Sequence, residues 1–298
     1  MTRDYSFLVN PLSGGGAAPG AVVPVARRLR EAGAAVEVTY SPGPRATLDL
    51  VRAAVGRGEV VVSVGGDGML SSVAGEVARL GGTLGIVPAG RGNDFARMLG
   101  LPDDPDEVAR LLLEAPPRPV DLLAVRGPDG ADRVVAGSVY AGVDARASRL
   151  VDRARWLPRR LQYPYAAVRS LATYRPAHLE VAVDGTVGTF RAATVVVANS
   201  GYYGSGMHIA PGASLDDGVL DVVVIEAAGR LDLIRSLPTV YDGGHVALPG
   251  VHVLRGRLVE VRSLAGPVPV GGDGESLGEL RAGPLTARVL PEALAVLA

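Results

Sequence analysis

Short runs of β-branched residues alternate with helix-like stretches over the first third of the chain, and this alternation most constrains the fold. The clearest run is Val60-Val61-Val62-Ser63-Val64, which leads into Gly65-Gly66-Asp67-Gly68 and then into a helical pattern beginning near Met69. Such alternation is typical of parallel βαβ units. Further strands are predicted at 7–10, 36–39 and 83–87, and helices at 21–31, 47–55 and 70–80. We therefore predict a doubly wound, open α/β sheet.

The pattern changes after residue 126, where Gly127-Pro128-Asp129-Gly130 is a strong turn signal. Beyond it, most apolar segments indicate strands, which predicts an antiparallel β-sandwich. The predicted strands span 134–141, 179–183, 193–198, 219–225, 251–261 and 285–290, and an arginine-rich helical segment interrupts them at 147–174. We predict an α/β domain over 1–126 and a β-sandwich domain over 127–298, whose last residues have the option of packing back on the first domain.

Composition excludes several classes of function. The chain of 298 residues has no cysteine, so disulfides, thiolate metal sites and a cysteine nucleophile are excluded. All basic residues are arginines, which excludes a lysine-dependent phosphate loop and a lysine Schiff base. The apolar runs are too short to span a bilayer, and the first residues contain no export signal. We expect a cytoplasmic protein, and the net charge of -1 predicts no nucleic-acid partner.

The loop at 65–68 has the features of a phosphate-binding site. A strand leads to it, its glycines let backbone approach a ligand, and the following helix start presents free N–H groups to an anion. A carboxylate at Asp67 would repel phosphates unless a divalent cation lay between them, so we interpret Asp67 as a magnesium-associated residue. The alternative is a glycine-rich turn in which Asp67 caps its own helix.

Two other loops follow strands of the same predicted sheet and are expected at the same edge. They are Asn10-Pro11-Leu12-Ser13-Gly14-Gly15-Gly16 and Pro88-Ala89-Gly90-Arg91-Gly92-Asn93-Asp94-Phe95-Ala96-Arg97. Ligands in open α/β sheets bind at the carboxyl ends of the strands. The candidate nucleotide-binding residues are Asn10, Pro11, Ser13, Gly14, Gly65, Gly66, Asp67, Gly68, Met69, Gly90, Arg91, Asn93 and Asp94.

These loops resemble those of the lipid kinase family that contains diacylglycerol kinases, sphingosine kinases and related bacterial enzymes. The resemblance continues through residues 199–207 and 210–221, which read NSGYYGSGM and APGASLDDGVLD, to Gly272-Asp273-Gly274-Glu275. It implies an N-terminal nucleotide-binding domain like those of NAD kinase and diacylglycerol kinase, followed by a β-sandwich that binds the lipid. It also implies an ATP-dependent lipid kinase that uses Mg²⁺ and phosphorylates a lipid alcohol such as diacylglycerol.

The same resemblance implies roles for two carboxylates. Glu275 would be the general base that accepts the proton of the substrate hydroxyl, and Asp273 would help to arrange the site. Asp67, interpreted above as magnesium-associated, is the third catalytic candidate. An alcohol that attacks a γ-phosphate needs a nearby proton acceptor, so the chemistry is consistent. The alternative is that residues 273–275 form a plain hairpin turn.

The resemblance to the family also covers a second group of residues, which lies between positions 214 and 219. By resemblance, Ser214, Asp217 and Val219 would hold a structural magnesium, Ser214 and Val219 through their backbone carbonyls. The alternative is a tight turn between strands. Asp121 matches an acidic position near the family's interdomain hinge, and the alternative is a solvated turn carboxylate.

Two departures from the family pattern leave other functions open. The family has threonines where this chain has Met69 and Arg91, so one hydroxyl near the phosphates is lost and a charge is added. A nucleotide- or lipid-binding relative with weakened catalysis is one alternative. A kinase of a soluble dinucleotide is another, since NAD kinases share the Gly-Gly-Asp-Gly loop.

The segment from Arg146 to Tyr165 mixes arginines with interfacial aromatic residues. Such a surface suits anionic headgroups, so we predict peripheral contact with the inner face of the membrane. The residues concerned are Arg146, Arg149, Arg153, Arg155, Trp156, Arg159, Arg160, Tyr163 and Tyr165. A solvated helix is the alternative, and a homodimer is left open.

Overall fold

The computed structural model describes residues 3–90, 92–154, 157–281 and 283–298. The chain begins with a parallel sheet, in which the first four strands lie in the order second, first, third, fourth, and with its connecting helices. The elements are β1 (Tyr5–Val9), α1 (Ala18–Glu31), β2 (Val36–Tyr40), α2 (Pro44–Gly56), β3 (Val60–Gly65), α3 (Asp67–Arg79), β4 (Thr83–Pro88), α4 (Asp94–Met98) and α5 (Pro105–Glu114).

The strands of this sheet are apolar throughout because both of their faces are covered. Phe7 and Val9 of β1 point to one face, where they pack with α1 and α5. Leu8 points to the other face, where it packs with α2 and α3. This arrangement confirms the predicted doubly wound α/β fold.

The rest of the chain is mainly antiparallel and forms the predicted β-sandwich, with helices over one side. Side chains of its strands alternate between the sandwich core and the side that these helices cover. The elements are β5 (Pro117–Arg126), β6 (Asp132–Val135), β7 (Ser138–Gly142), α6 (Val143–Arg153), α7 (Arg159–Thr173), β8 (Ala177–Val183), β9 (Thr186–Ala198), β10 (Leu220–Glu226), α8 (Arg230–Tyr241), β11 (Val251–Gly256), β12 (Leu258–Ser263), β13 (Val268–Gly272), β14 (Glu275–Leu280) and β15 (Leu285–Leu297).

The last strand connects the two halves of the molecule. Most of β15 pairs antiparallel with β5, while Ala295 and Val296 pair in parallel with β4 of the first sheet. The chain end therefore lies beside the parallel sheet. The domain boundary at 126 and 127 stays a prediction.

Several predicted elements were wrong in extent. The predicted strand at 134–141 is two strands, because the amides of Ala136 and Gly137 donate to the carboxylate of Asp273 rather than to a neighbouring strand. The predicted strand at 251–261 is also two strands, separated at Arg257. The predicted helical segment at 147–174 contains the last part of α6 and the whole of α7, and α8 was not predicted at all.

Over the described ranges, no helix is long and apolar enough to cross a bilayer.

Candidate active site

The three glycine-rich loops meet at the carboxyl edge of the parallel sheet. A Cβ on Gly90 would lie 2.5 Å from Gly66 Cα, and a Cβ on Gly14 would lie 2.5 Å from Ala89 O. The loops therefore contact one another backbone to backbone, which only glycine permits at these positions. Asn93 supports the arrangement, since its Oδ1 accepts a hydrogen bond from Gly90 N at 2.7 Å.

Asp67 begins α3 but its carboxylate does not cap that helix. Its Oδ1 accepts a hydrogen bond from Asp94 N at 2.9 Å, at the start of α4. The alternative that Asp67 caps its own helix is therefore wrong. The amides of the first turn of α3 have no acceptor within the helix, and together with the helix dipole they favour an anion at this point.

Three carboxyl groups from different parts of the chain, those of Asp67, Asp94 and Asp273, lie near one another in the site. Burial raises the pKa of Asp67 to about 7, with further contributions from the charges of Asp94 and Asp273. Burial also raises the pKa of Asp94 and that of Asp273. Nearby like charges and poor solvation make a bound cation favourable here.

Asp273 lies in the hairpin turn between β13 and β14, and Glu275 is the first residue of β14. Asp273 has a left-handed backbone, with a φ of 42°. Its Oδ1 accepts from Ser138 N at 2.9 Å, and its Oδ2 accepts from Ala136 N and Gly137 N, each at 3.0 Å. These bonds fix the turn against the start of β7. The segment is therefore a hairpin, as the alternative held, but its carboxylates face the site.

Glu275 lies beside the first turn of α3. A Cβ on Gly68 would lie 2.8 Å from Glu275 Oε1, so the two segments are in contact. Glu275 is exposed and borders the same cavity as Asp67. A carboxylate of the second half of the chain therefore faces the glycine-rich loops of the first half.

Asp94 was predicted to bind nucleotide, and the structure gives its carboxylate a partner across the cleft. Its oxygens accept hydrogen bonds from Ser205 N at 2.8 Å and from Gly206 N at 2.7 Å. Both donors belong to the Gly-Ser-Gly loop of the second half of the chain. Asp94 thus ties the third glycine-rich loop to a loop that borders the cavity.

A cavity of about 550 Å³ extends from the three loops into the second half of the molecule. Its outer end is polar and contains Asp67, Asp94, Asp273 and Glu275. Its deeper part lies between α7, α8 and the sandwich, and aliphatic side chains predominate there. These include Leu171, Ile209, Ile225, Leu233, Leu237, Val240 and Val251.

A polar cluster interrupts the aliphatic lining, and sequence reasoning missed it. Thr194 Oγ1 donates to Asp144 Oδ2 at 2.6 Å, and Tyr203 also hydrogen-bonds Asp144. Burial raises the pKa of both Asp144 and Tyr203. Nothing in the local sequence around Asp144 signals this contact, because its partners lie on other elements.

The predicted structural magnesium residues lie on a separate turn before β10. Asp217 Oδ1 accepts from Val219 N at 3.2 Å, its Oδ2 pairs with Arg255, and Ser214 Oγ donates to Asp216 at 2.6 Å. An arginine that already contacts Asp217 Oδ2 competes with a cation there. The magnesium role of this turn stays a prediction.

Asp121 is fully buried in β5. Its Oδ2 accepts from Gly218 N and its Oδ1 from Glu292 N, each at 2.7 Å. The alternative of a solvated turn carboxylate is therefore wrong. Asp121 joins three segments near the junction of the two halves.

The structure brings most of the predicted site residues to one cavity. Those that border it are Asn10, Ser13, Gly14, Gly66, Asp67, Gly68, Met69, Gly90, Asp94, Asp273 and Glu275. Gly65 and Asn93 belong to the same loops, Pro11 is exposed beside them, and Arg91 lies outside the described residues. Of the arginine-rich segment, residues 155 and 156 also lie outside, as do the side chains of residues 149, 153, 159, 160 and 163.

Comparison with known families covers nearly the whole chain. The model of the diacylglycerol kinase catalytic domain matches residues 4–125, and the model of the YegS C-terminal NAD kinase beta sandwich-like domain matches residues 137–298. The motifs quoted above fall within these two matches.

Individual proteins agree with this result. A diacylglycerol kinase of Mycobacterium tuberculosis is 33% identical over 257 residues, covering 85% of this chain and 83% of its own. A "Probable lipid kinase YegS-like" of Chromohalobacter salexigens is 30% identical over 232 residues, covering 72% of each chain. A crystal structure of a Bacillus anthracis diacylglycerol kinase superposes with a TM-score of 0.72 at 19% identity, covering 99% of this chain and 97% of that one, which shows the shared fold.

Proposed function

The chain belongs to the diacylglycerol kinase family of bacterial lipid kinases, and from this premise we propose that it transfers the γ-phosphate of ATP to the hydroxyl of a lipid alcohol such as diacylglycerol. The observation that carries the proposal is the single cavity in which Glu275 faces the glycine-rich loops and which continues into an aliphatic pocket.

We assign the triphosphate of ATP to the carboxyl edge of the parallel sheet, where the three glycine-rich loops meet. Backbone N–H groups at the start of α3 and the glycines at 14, 66 and 90 suit close approach of phosphates. Asp67 and Asp94 lie beside them with raised pKa values. Nucleotide binding is therefore expected to depend on a divalent cation.

The residues present fit a magnesium ion whose remaining coordination positions are filled by the phosphates of ATP and by water. In the described parts of the chain, no three carboxylates or imidazoles close around one point. Mg²⁺ commonly uses one or two protein carboxylates and takes its remaining ligands from phosphates and water. Asp67 is the residue that would hold Mg²⁺. The bound ion would neutralise the charge of the phosphate oxygens.

Glu275 is assigned as the general base. The lipid hydroxyl oxygen bonds to the γ-phosphorus, the bond from phosphorus to the β–γ bridging oxygen breaks, and ADP leaves. The hydroxyl proton passes to the Glu275 carboxylate, which is exposed at the outer end of the cavity. Asp273 acts by holding the turn that carries Glu275.

The aliphatic pocket favours a lipid over a dinucleotide. Leucine, isoleucine and valine side chains predominate in the deep part of the cavity, and the polar cluster around Asp144 is a small patch among them. We therefore place the acyl chains there.

The test is to supply labelled ATP and Mg²⁺ with separate lipid alcohols, with NAD and with a total lipid extract. We expect ATP consumption that depends on a lipid alcohol, and a phosphorylated lipid identifiable by mass spectrometry. Turnover only with NAD would establish the dinucleotide alternative. Nucleotide binding with no turnover on any substrate would establish the weakened relative.

Peripheral membrane binding is proposed through the outer face of α7. The exposed, mostly apolar positions Leu161, Pro164, Val168 and Ala172 follow helical spacing, and Arg169 is exposed beside them. The adjacent side of α7 lines the lipid pocket through Ala167 and Leu171. With α7 bound to the membrane surface, a lipid substrate would enter the pocket directly from that membrane.

Vesicle sedimentation in low salt tests this surface. Val168→Glu is expected to weaken binding to anionic vesicles, while Val187→Glu, at an exposed valine of β9, is expected to leave it unchanged. Equal effects of both changes, or no binding by the wild type, would remove the proposal. The cytoplasmic location, the homodimer and the second magnesium at 214–219 stay predictions.

A further inference from the structure

We propose that Ser71 is a positioning residue that holds the catalytic turn at a fixed distance from the phosphate-binding end of α3. Ser71 is buried, with 6% of its surface exposed. Its hydroxyl donates to Asp273 Oδ2 and accepts from Ala136 N at 2.8 Å. Both hydrogen bonds join α3 to segments that follow β5, with Asp273 202 residues away and Ala136 65 residues away.

Ser71 lies in the middle of a contact face along α3. One turn earlier, a Cβ on Gly68 would meet Glu275, and one turn later a Cβ on Gly75 would lie 2.8 Å from Val134 Cβ. Positions 68, 71 and 75 share one side of a helix. The two glycines allow close approach, and Ser71 supplies the directional hydrogen bonds between them.

This geometry gives Ser71 an influence on turnover without contact to substrate. The N-terminus of α3 is assigned to the phosphates, and the turn 273–275 carries the assigned base. A displacement of about 1 Å between reacting groups can cost about a hundredfold in rate. Losing the Ser71 hydroxyl would let the turn move relative to α3, while Asp273 kept its three backbone donors.

The matched comparison is Ser71→Ala against Ser72→Ala. Ser72 is exposed, and among the described residues its hydroxyl bonds to Gly68 O of its own helix, at 3.2 Å. We expect Ser71→Ala to lower kcat about tenfold with the KM for ATP within about twofold of wild type, the scale of one lost hydrogen bond. Ser72→Ala is expected to change neither constant. Ser71→Thr, which keeps the hydroxyl, is expected to restore most of the lost kcat.

Hydrogen exchange of the ligand-free protein provides a second readout that does not need activity. Peptides covering 134–139 and 270–276 are expected to exchange faster in Ser71→Ala than in the wild type or in Ser72→Ala. The kinetic arm rests on the proposed function, whereas this arm does not. If the wild type shows no lipid-dependent turnover, the proposed kinase function is contradicted. The hydrogen-exchange result then decides the role of Ser71 by itself.

Two results would overturn the proposal. One is a kcat of Ser71→Ala within twofold of wild type, and the other is unchanged exchange in both peptides. If Ser71→Ala does not fold, Ser71→Thr and Asp273→Asn decide. The proposal is supported if Ser71→Thr has a normal kcat and Asp273→Asn loses kcat with little change in KM. Any other combination rejects it.

Discussion

Glu275 packs closely against the first turn of α3: a Cβ on Gly68 would lie 2.8 Å from Glu275 Oε1 and 3.2 Å from its Cγ, so a side chain at residue 68 would push the Glu275 carboxylate aside. The two residues come from opposite halves of the chain. Their contact sets the assigned base beside the assigned phosphate site.

Gly68→Ala is therefore expected to displace Glu275 and to lower turnover at least about tenfold, because proton transfer depends on position. ATP affinity should change less, since the backbone at 68 is helical and alanine can adopt it. The control is Gly20→Ala in the first turn of α1, where a Cβ would meet nothing within 4 Å. Steady-state kinetics and nucleotide titration check the prediction, which fails if both variants retain wild-type kcat.

Met69→Thr is expected to strengthen ATP binding several-fold. Met69 borders the cavity at the start of α3, where the family has a threonine whose hydroxyl could reach a phosphate or its cation. The KM for ATP and the magnesium dependence of binding measure the effect. A KM that rises would show that Met69 contributes to the site by packing.

The metal-free protein is expected to lose stability as the pH rises from about 4 to about 7. In the unfolded chain an aspartate releases its proton near pH 4, whereas burial and the charges of Asp94 and Asp273 raise the pKa of Asp67 to about 7 in the folded protein. The folded state thus binds more protons over this range, so the free energy of unfolding falls with rising pH.

Asp67→Asn should flatten part of this slope in urea unfolding with EDTA present. Asp103→Asn, at an exposed loop position, serves as the control. Identical slopes for wild type and Asp67→Asn would contradict the electrostatic account. Added Mg²⁺ is expected to reduce the slope of the wild type, because a cation favours the ionised carboxylate.

Filling the aliphatic pocket should discriminate between substrates by chain length. Ala167 lines the cavity and Ala172 lies on the exposed side of the same helix. Ala167→Phe is expected to lower turnover of long-chain diacylglycerol about tenfold or more and to spare a short-chain analogue. Ala172→Phe is expected to spare both in detergent assays. Equal loss on both chain lengths for Ala167→Phe would place the acyl chains elsewhere.

The parts of the site that follow strands were predictable from sequence. Parallel strands end at one edge, so the loops at 10–16, 65–68 and 88–97 had to be neighbours, and their glycines indicated close backbone contact. The structure shows that contact between Gly66 and Gly90. The hairpin at 273–275 was located by its resemblance to the family motif, since local turn chemistry alone predicted nothing more than a turn.

Contacts between distant segments were not predictable. Asp94 and Ser205 are 111 residues apart, and Ser71 and Asp273 are 202 apart, so no local periodicity links them. The polar cluster around Asp144 was missed for the same reason. The helix α8 contains Pro238, which lowers helix propensity, and its position against the pocket rather than its own sequence stabilises it.

The most direct measurement is lipid-dependent turnover and ATP affinity of Glu275→Gln, with Glu279→Gln on the same β14 strand as the control. The amide cannot accept the hydroxyl proton as a carboxylate does, so we expect turnover to fall at least about a hundredfold with nucleotide affinity nearly unchanged. Glu279→Gln should keep wild-type values. Near-normal turnover by Glu275→Gln would contradict the central claim that a carboxylate of the β-sandwich accepts the proton across the cleft.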